Sequence, residues 1–253
     1  MFGFLKRKER LKFACVTASE KGLVRKDNED TAFVDEAKTV FCVADGMGGG
    51  SEGATASRIV CEEVEKAVAN AQNLVERMRS VVTAIDAANR RIQSYAEERG
   101  FKTMGSTLAA LLVDSNNSRR AAICHVGDSR IYRVRRGTAT LLTHDHTIGG
   151  QLSAVATGAE AAELESRKHP LAHVLTRAIG AEMQATGEWK MIDLMAGDRY
   201  LVCSDGVHDV VSDSLIGEIL TVERELPAAS RRLGDEVVHN GAPDNYTFVI
   251  VEV

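Results

Sequence analysis

Four short apolar runs follow one another between Thr107 and Thr143: TLAALLVD, AAICHVGD, RIYRVRRG and TATLLT. Each is bounded by turn residues and reads as a strand. The links between them are far shorter than the dozen or so residues a parallel crossover needs, so these strands must lie antiparallel. Further strands are expected at Lys12 to Ala18, Thr31 to Val34 and Thr39 to Ala44, then at HVLTRAIG, EWKMIDL, RYLVCSDG and the closing NYTFVIVEV. Helical spacing appears in pairs. Ile59, Val60, Val64, Ala67 and Val68 form one apolar stripe, with Ser51 as a candidate cap. Leu74, Met78, Val81, Ile85, Ala88, Ile92 and Tyr95 form a longer one, alternating steps of four and three until Gly100 stops it. A second pair is expected over Ser214 to Val222 and Pro227 to His239. Runs of strands with helices set apart in pairs specify an α+β layered fold.

The composition allows a sizeable core. The 253 residues are 44% hydrophobic and 26% charged, without a proline-rich linker or solenoid repeat, so one domain spanning 1–253 is expected. The net charge of −5 and the lack of a basic stripe argue against nucleic acid. The basic run Lys6 to Arg10 reads as a solvated extension over 1–11. MFGFL is too short for a signal-peptide core and no run approaches a membrane span, which points to the cytoplasm. Cys15, Cys42, Cys61, Cys124 and Cys203 have no CxxC spacing and read as small buried hydrophobes.

Several of these runs end on an acid. VFCVADGMGGG takes an apolar strand to Asp45 and then places four glycines in five positions. RYLVCSDG repeats the device at Asp205, AAICHVGD delivers Asp128, and GAPDNYTFVIV sets Asp244 at the start of the last strand. One such aspartate is an Asp-Gly turn. Four at strand tips would gather at one sheet edge, where two carboxylates about 4 Å apart repel by roughly 4 kcal/mol at an effective dielectric near 20. They must take up a proton, pair with a base or share a cation. Basic residues are scarce around Asp45, Asp205 and Asp244 in the sequence, and oxygen donors without matching His or Cys suit Mg²⁺ or Mn²⁺. From the residues alone, strand-end turns and a carboxylate metal site both stay open.

VRKDNED, VADGMGG, GSTLAALLV, HVGDSRIY, LTHDH, LTRAIG, LVCSDGV and PDNYTFVIV occur in an order and spacing that resembles the metal-dependent serine/threonine protein phosphatases of type 2C, from about Phe13 to Val253. The likeness is to the short bacterial form, a catalytic domain without appended regions. It implies a four-layer αββα sandwich, two antiparallel sheets flanked by helix pairs, with two Mn²⁺ or Mg²⁺ at one end and a weaker third. Asp45 would bridge both metals, the Gly46 carbonyl would ligate one, and Asp205 and Asp244 would complete the other. Asp128 with Asp205 would form the third site. Glu29 and Asp30 would hold metal-bound waters, Asn245 would orient its neighbour, and Arg25 would grip substrate phosphate. The implied activity is hydrolysis of phosphoserine and phosphothreonine on proteins by a metal-activated water, in a monomer that reverses a cognate serine/threonine kinase.

Some features resist this reading. CHVGDSR, from Cys124 to Arg130, also fits C-x₅-R of cysteine-dependent phosphatases, but a strand follows Arg130 where that loop should open a helix. HDH at His144 to His146 is assigned no ligand, and His169 and His173 are expected to flank a mobile helical insertion, broken at Gly149-Gly150, without chemistry. That insertion, 146–173, would be the flap shaping substrate access. Met47 stands where many eukaryotic relatives of the implied family carry a proposed acid histidine; bacterial members commonly share the methionine, which leaves the proton donor open. A phosphoprotein-binding pseudoenzyme and a metal-dependent nuclease are the alternatives. No metal aspartate is missing, against the first, and the acidic balance counts against the second.

Overall fold

The computed structural model describes residues 12–37, 39–114, 119–155, 171–181 and 183–253. The basic run at Lys6 to Arg10, the middle of the expected flap and His169 lie outside them. Strands β1 (Ala14–Glu20), β2 (Asp30–Asp35), β3 (Val40–Met47), β4 (Gly105–Ser106), β5 (Leu108–Val113), β6 (Arg120–Val126), β7 (Arg130–Arg135), β8 (Thr138–Leu141), β9 (Glu188–Asp193), β10 (Arg199–Cys203) and β11 (Tyr246–Glu252) form two sheets. One has the order β1-β11-β10-β7-β8, the other β2-β3-β5-β6-β9 with β4 added against β3. Every pairing is antiparallel, as the short connections require. Among the described residues the helices are α1 (Ser51–Val68), α2 (Leu74–Arg99), α3 (Ile148–Val155), α4 (Asp205–His208), α5 (Asp213–Val222) and α6 (Leu226–His239).

The two-residue side-chain period of a strand explains the layering. Phe41, Val43, Ala109, Leu111 and Ile123 face inward and meet Ile131, Tyr200, Val202, Val249 and Val251 of the other sheet. Their alternates, Val40, Cys42, Leu108, Ala110, Leu112 and Cys124, face outward onto α1 and α2. On the other side Tyr132, Leu201, Phe248 and Ile250 pack under α5 and α6. Helices cover both outer faces, so the central strands are apolar on both sides and read as continuous hydrophobic runs although they are antiparallel.

Helix ends are set by local chemistry. Asn73 caps α2 by accepting from the Glu76 N–H, and Glu76 reaches back to the Gln72 N–H. Gly100, at φ 73°, ends α2 with its N–H on the Ala96 and Glu97 carbonyls. Ser51 does not cap α1. It is already the first helical residue, and its hydroxyl turns to Glu52 while Gly50 takes the cap position. HVLTRAIG is no strand either. It makes only isolated bridges, Thr147 to Leu175 and Ser106 to Ile179, because its backbone serves as a tether for the segment before it. Gly149-Gly150 does not break a helix but starts α3, since a Cβ on Gly150 would lie 2.2 Å from the Asp145 carbonyl oxygen.

Ile92 is fully buried on the inner face of α2 and touches Gly180, whose Cβ would come within 2.3 Å of the isoleucine Cγ2. Ile92→Ala should therefore cost about 2–5 kcal/mol. Urea unfolding should show the lower midpoint at an unchanged slope; a cost below about 1 kcal/mol would mean that α2 stands outside the cooperative core.

Candidate metal and phosphate site

Antiparallel register gathers the acids. Asp30, opening β2, is the register partner of Asp45 near the end of β3. β10 runs out toward Asp205, which opens α4, and β11 begins just after Asp244, paired to β10 through Cys203 and Phe248. Asp128 lies in the turn where the chain leaves β6 in one sheet and enters β7 in the other. Arg25, Glu29, Asp45, Gly46, Asp128, Asp205, Asp244 and Asn245 all line one open cleft of about 250 Å³ at this end of the sandwich. Asp30 lies behind it, buried.

The backbone around Asp45 is pinned. Its N–H donates to Thr107 Oγ1 and its carbonyl accepts from the Thr107 N–H, while the Thr107 hydroxyl meets Ser129 Oγ at 2.7 Å. Only glycine fits next: a Cβ on Gly46 would lie 2.0 Å from the Gly53 carbonyl oxygen in α1. Likewise a Cβ on Gly206 would sit 1.9 Å from the Asn245 carbonyl oxygen, so the glycine after Asp205 lets α4 approach the start of β11. The Asp-Gly pairs serve close backbone approach rather than hairpin turns.

Asn245 is a staple. Its Oδ1 accepts from the Glu29 N–H, its Nδ2 donates to the Lys21 and Asp27 carbonyls, and its own N–H donates to Asp244 Oδ1. It thus fixes the loop carrying Arg25 and Glu29 as well as its neighbour. Glu29 accepts from the Gly50 N–H at 2.7 Å, ahead of α1. Ser204 donates to Asp30 Oδ2 at 2.7 Å and accepts from the Thr247 N–H. Thr107, Ser129 and Ser204 hold the acids in place, and no spacing in the sequence singles them out for that.

The electrostatics are those of a crowded acidic site. Burial first, then the charges of Asp30, Asp205 and Asp128, hold the Asp45 carboxyl well above the usual range, and Asp205 lies within hydrogen-bonding reach of it. Burial, offset in part by the Ser204 hydroxyl and reinforced by Asp205 and Asp244, pushes Asp30 up to about 7. Asp30 Oδ1 is buried with no hydrogen-bond partner. An orphaned carboxylate oxygen behind a ring of oxygen donors fits hard divalent cations.

One expectation needs correcting. A protein cation does reach the cluster: Arg25 Nη2 donates to Asp244 Oδ2 at 2.6 Å. The two residues are far apart in sequence, and the loop stapled by Asn245 brings them together. With Asp244 drawn to Arg25, the acids ring the cleft rather than close on one point. Among the described residues, the only trio of His, Cys, Asp or Glu with ligand atoms all within 4.8 Å is His125, His146 and Glu188. In that trio His146 bonds to Glu188, while His125 stacks on His146 and bonds outside it. His146 Nδ1 accepts from the Gly127 N–H, so Nε2 carries the proton and donates to Glu188. His125 Nε2 lies 2.6 Å from the His144 carbonyl and must donate to it. The Nε2 atoms of both rings carry hydrogens in these bonds and could bind a metal only by giving them up.

The C-x₅-R alternative fails on placement. Cys124 is fully buried in β6 on the face packed against the helices, and burial drives its thiol far above its ordinary value. Arg130 is committed to a two-pronged pair with Asp145. His173, expected to have no chemistry, instead lines the cleft. Its position depends on tertiary packing, and nothing adjacent to it in sequence signals it.

The raised Asp30 value carries a sign. A carboxyl at about 7 when folded and near 3.8 when unfolded keeps its proton better in the native state. Its contribution is complete at low pH and is lost as pH rises from about 4 through about 7. Asp30→Asn should therefore match wild type in thermal stability near pH 4 in chelator, and exceed it by several degrees at pH 8. A gain equal at both pH values would detach the effect from this ionisation.

The profile of the family described as Protein phosphatase 2C matches residues 17–240. The chain is 35% identical over 237 residues to the serine/threonine protein phosphatase PstP of Mycobacterium tuberculosis (strain CDC 1551 / Oshkosh), covering 93% of this chain but only 44% of that protein. It thus spans less than half the length of that relative. Similarity to the serine/threonine phosphatase stp of Listeria welshimeri runs end to end: 30% identity over 244 residues, 92% of this chain and 93% of the relative. Among solved structures, the catalytic domain of a serine/threonine protein phosphatase PstP in complex with two manganese ions superposes with a TM-score of 0.78 at 32% identity, over 95% of this chain and 97% of that one. Four layers of αββα, acids at the same end of both sheets and a match over most of the length lead to one assignment: the chain belongs to the protein phosphatase 2C family.

Proposed function

We propose that this chain removes phosphate from phosphoserine and phosphothreonine on proteins, using two Mn²⁺ or Mg²⁺ held by Asp45, the Gly46 carbonyl, Asp205 and Asp244. The observation that carries this reading is the convergence of Asp45, Asp128, Asp205 and Asp244 on one cleft with Arg25 at its mouth. Asp128 with Asp205 would hold a third, weaker ion, and Glu29 and Asp30 would position water. Such cations, when bound, supply Lewis-acid charge and acidify water. The protein relatives and the manganese-bound neighbour support the same substrate and cofactor class.

The chain's own groups do the rest. Arg25 is half exposed, so its guanidinium can exchange the Asp244 carboxylate for two oxygens of a phosphoryl group. Asn245 limits how far it can wander by holding the loop on both sides of it. The pinned backbone at Asp45 keeps the principal ligand from following the substrate. A hydrolase of this kind works against the serine/threonine kinases that make its substrates.

Purified protein should release phosphate from phosphoserine and phosphothreonine peptides only when Mn²⁺ or Mg²⁺ is present, lose this activity in chelator and regain it on readdition. Full turnover in chelator would sink the proposal. Arg25→Ala should raise KM and lower kcat/KM about ten- to a hundred-fold, the size of a lost charged hydrogen bond. Unchanged kinetics would return Arg25 to a role confined to Asp244.

A further inference from the structure

Cleavage of a serine or threonine phosphate leaves an alkoxide, and such a leaving group needs a proton. Met47, directly after Asp45-Gly46, cannot supply one. Its thioether has no proton to give, and its methyl packs on Gly105, where a Cβ would lie 2.7 Å from it. The acids lining the cleft are needed ionised if they hold cations, and a guanidinium stays protonated. His173 is the remaining titratable side chain on that wall. Histidine is the side chain whose ordinary pKa sits closest to neutrality.

Three features fit His173 to such a role. Its backbone is tied on both sides, the Gly149 N–H donating to the Ala172 carbonyl and the Ile148 N–H to the Val174 carbonyl, while Leu175 bridges to Thr147. Its Nδ1 faces Asp209 Oδ2 at 3.5 Å, a contact that turns Nε2 away from Asp209. Asp209 is itself placed from the site: its N–H donates to the Asp205 carbonyl across α4, and its other oxygen lies 3.2 Å from His208 Nδ1. Nε2 of His173 has no hydrogen-bond partner among the described residues, and the side chain is 47% exposed.

We propose that His173 is the leaving-group acid of the phosphomonoester hydrolysis, an inference that rests on the function proposed above. The P–O bond to serine or threonine breaks with its electron pair on the side-chain oxygen, which takes the Nε2 proton. The oxygen of the attacking water forms the new P–O bond and its proton passes to bulk water. The neutral ring, keeping Nδ1–H toward Asp209, is reprotonated from solvent.

The test is kcat/KM for wild type and His173→Gln, with Mn²⁺ present, across substituted phenyl phosphates of rising leaving-group pKa and one alkyl phosphate. Small substrates of similar size remove any effect of peptide docking. The variant should match wild type on p-nitrophenyl phosphate within about threefold, because nitrophenolate leaves unaided. It should fall progressively behind as the leaving group becomes more basic, reaching ~10²- to 10⁴-fold on the alkyl ester. Equal losses on all substrates, or no loss on the alkyl ester, would overturn the assignment while wild type stays active. A wild type inactive on every phosphate with Mn²⁺ would overturn the function itself, a different outcome. Thermal denaturation of the variant within a degree or two of wild type would confirm that the comparison concerns an intact fold.

Discussion

Asp30 and Asp45 are register partners on adjacent strands, and their mutual repulsion is the constraint around which this end of the molecule is arranged. A β-pair brings opposite residues within about 5 Å, a spacing that normally excludes like charges. Here Asp205 and Asp244 are added from the other sheet and Asp128 from the turn between sheets. The fold carries this cost through rigidity. Thr107 and Ser129 clamp the Asp45 backbone, Ser204 bonds Asp30 to the start of α4, and Asn245 locks the Arg25 loop. Behind them stand three apolar layers that leave the strand ends nowhere to go.

The same rigidity bears on function. A cation-binding site works when its ligands cannot relax away from one another in the cation's absence, and buried strand tips relax little. Arg25 is the mobile counterpart, half exposed and bonded to an acid it can leave. The division is physical: fixed negative groups at the floor, an exchangeable positive group at the mouth. His173 also lines the cleft, on a segment tethered by backbone bonds and by its own contact with Asp209.

Much of this was legible in the chain. The seam from Leu74 to Tyr95 gave α2 and its stop at Gly100, and the antiparallel layout followed from connection length. Asp45, Asp128, Asp205 and Asp244 announced themselves as acids that end or begin apolar runs. The failures share a cause. HVLTRAIG reads as a strand because it is short and largely apolar, yet Val174 is exposed and its backbone bonds go to Ser106 and to residues 146–149. Ser51 looked like a cap because its type is right, but close packing of Gly46 against Gly53 sets where α1 starts.

The sequence by itself determined the elements, their antiparallel order and the identity of the acids, because these depend on side-chain period, turn chemistry and loop length, all local properties. Tertiary structure decided which charges meet. Arg25 reaches Asp244, His173 reaches the cleft beside Asp209, and His125 and His146 stack while bonding to His144 and Gly127. Those pairings join residues up to 219 positions apart, as for Arg25 and Asp244. Electrostatic energy depends on distance in space, and spacing along the chain carries almost no information about it until the sheets are packed.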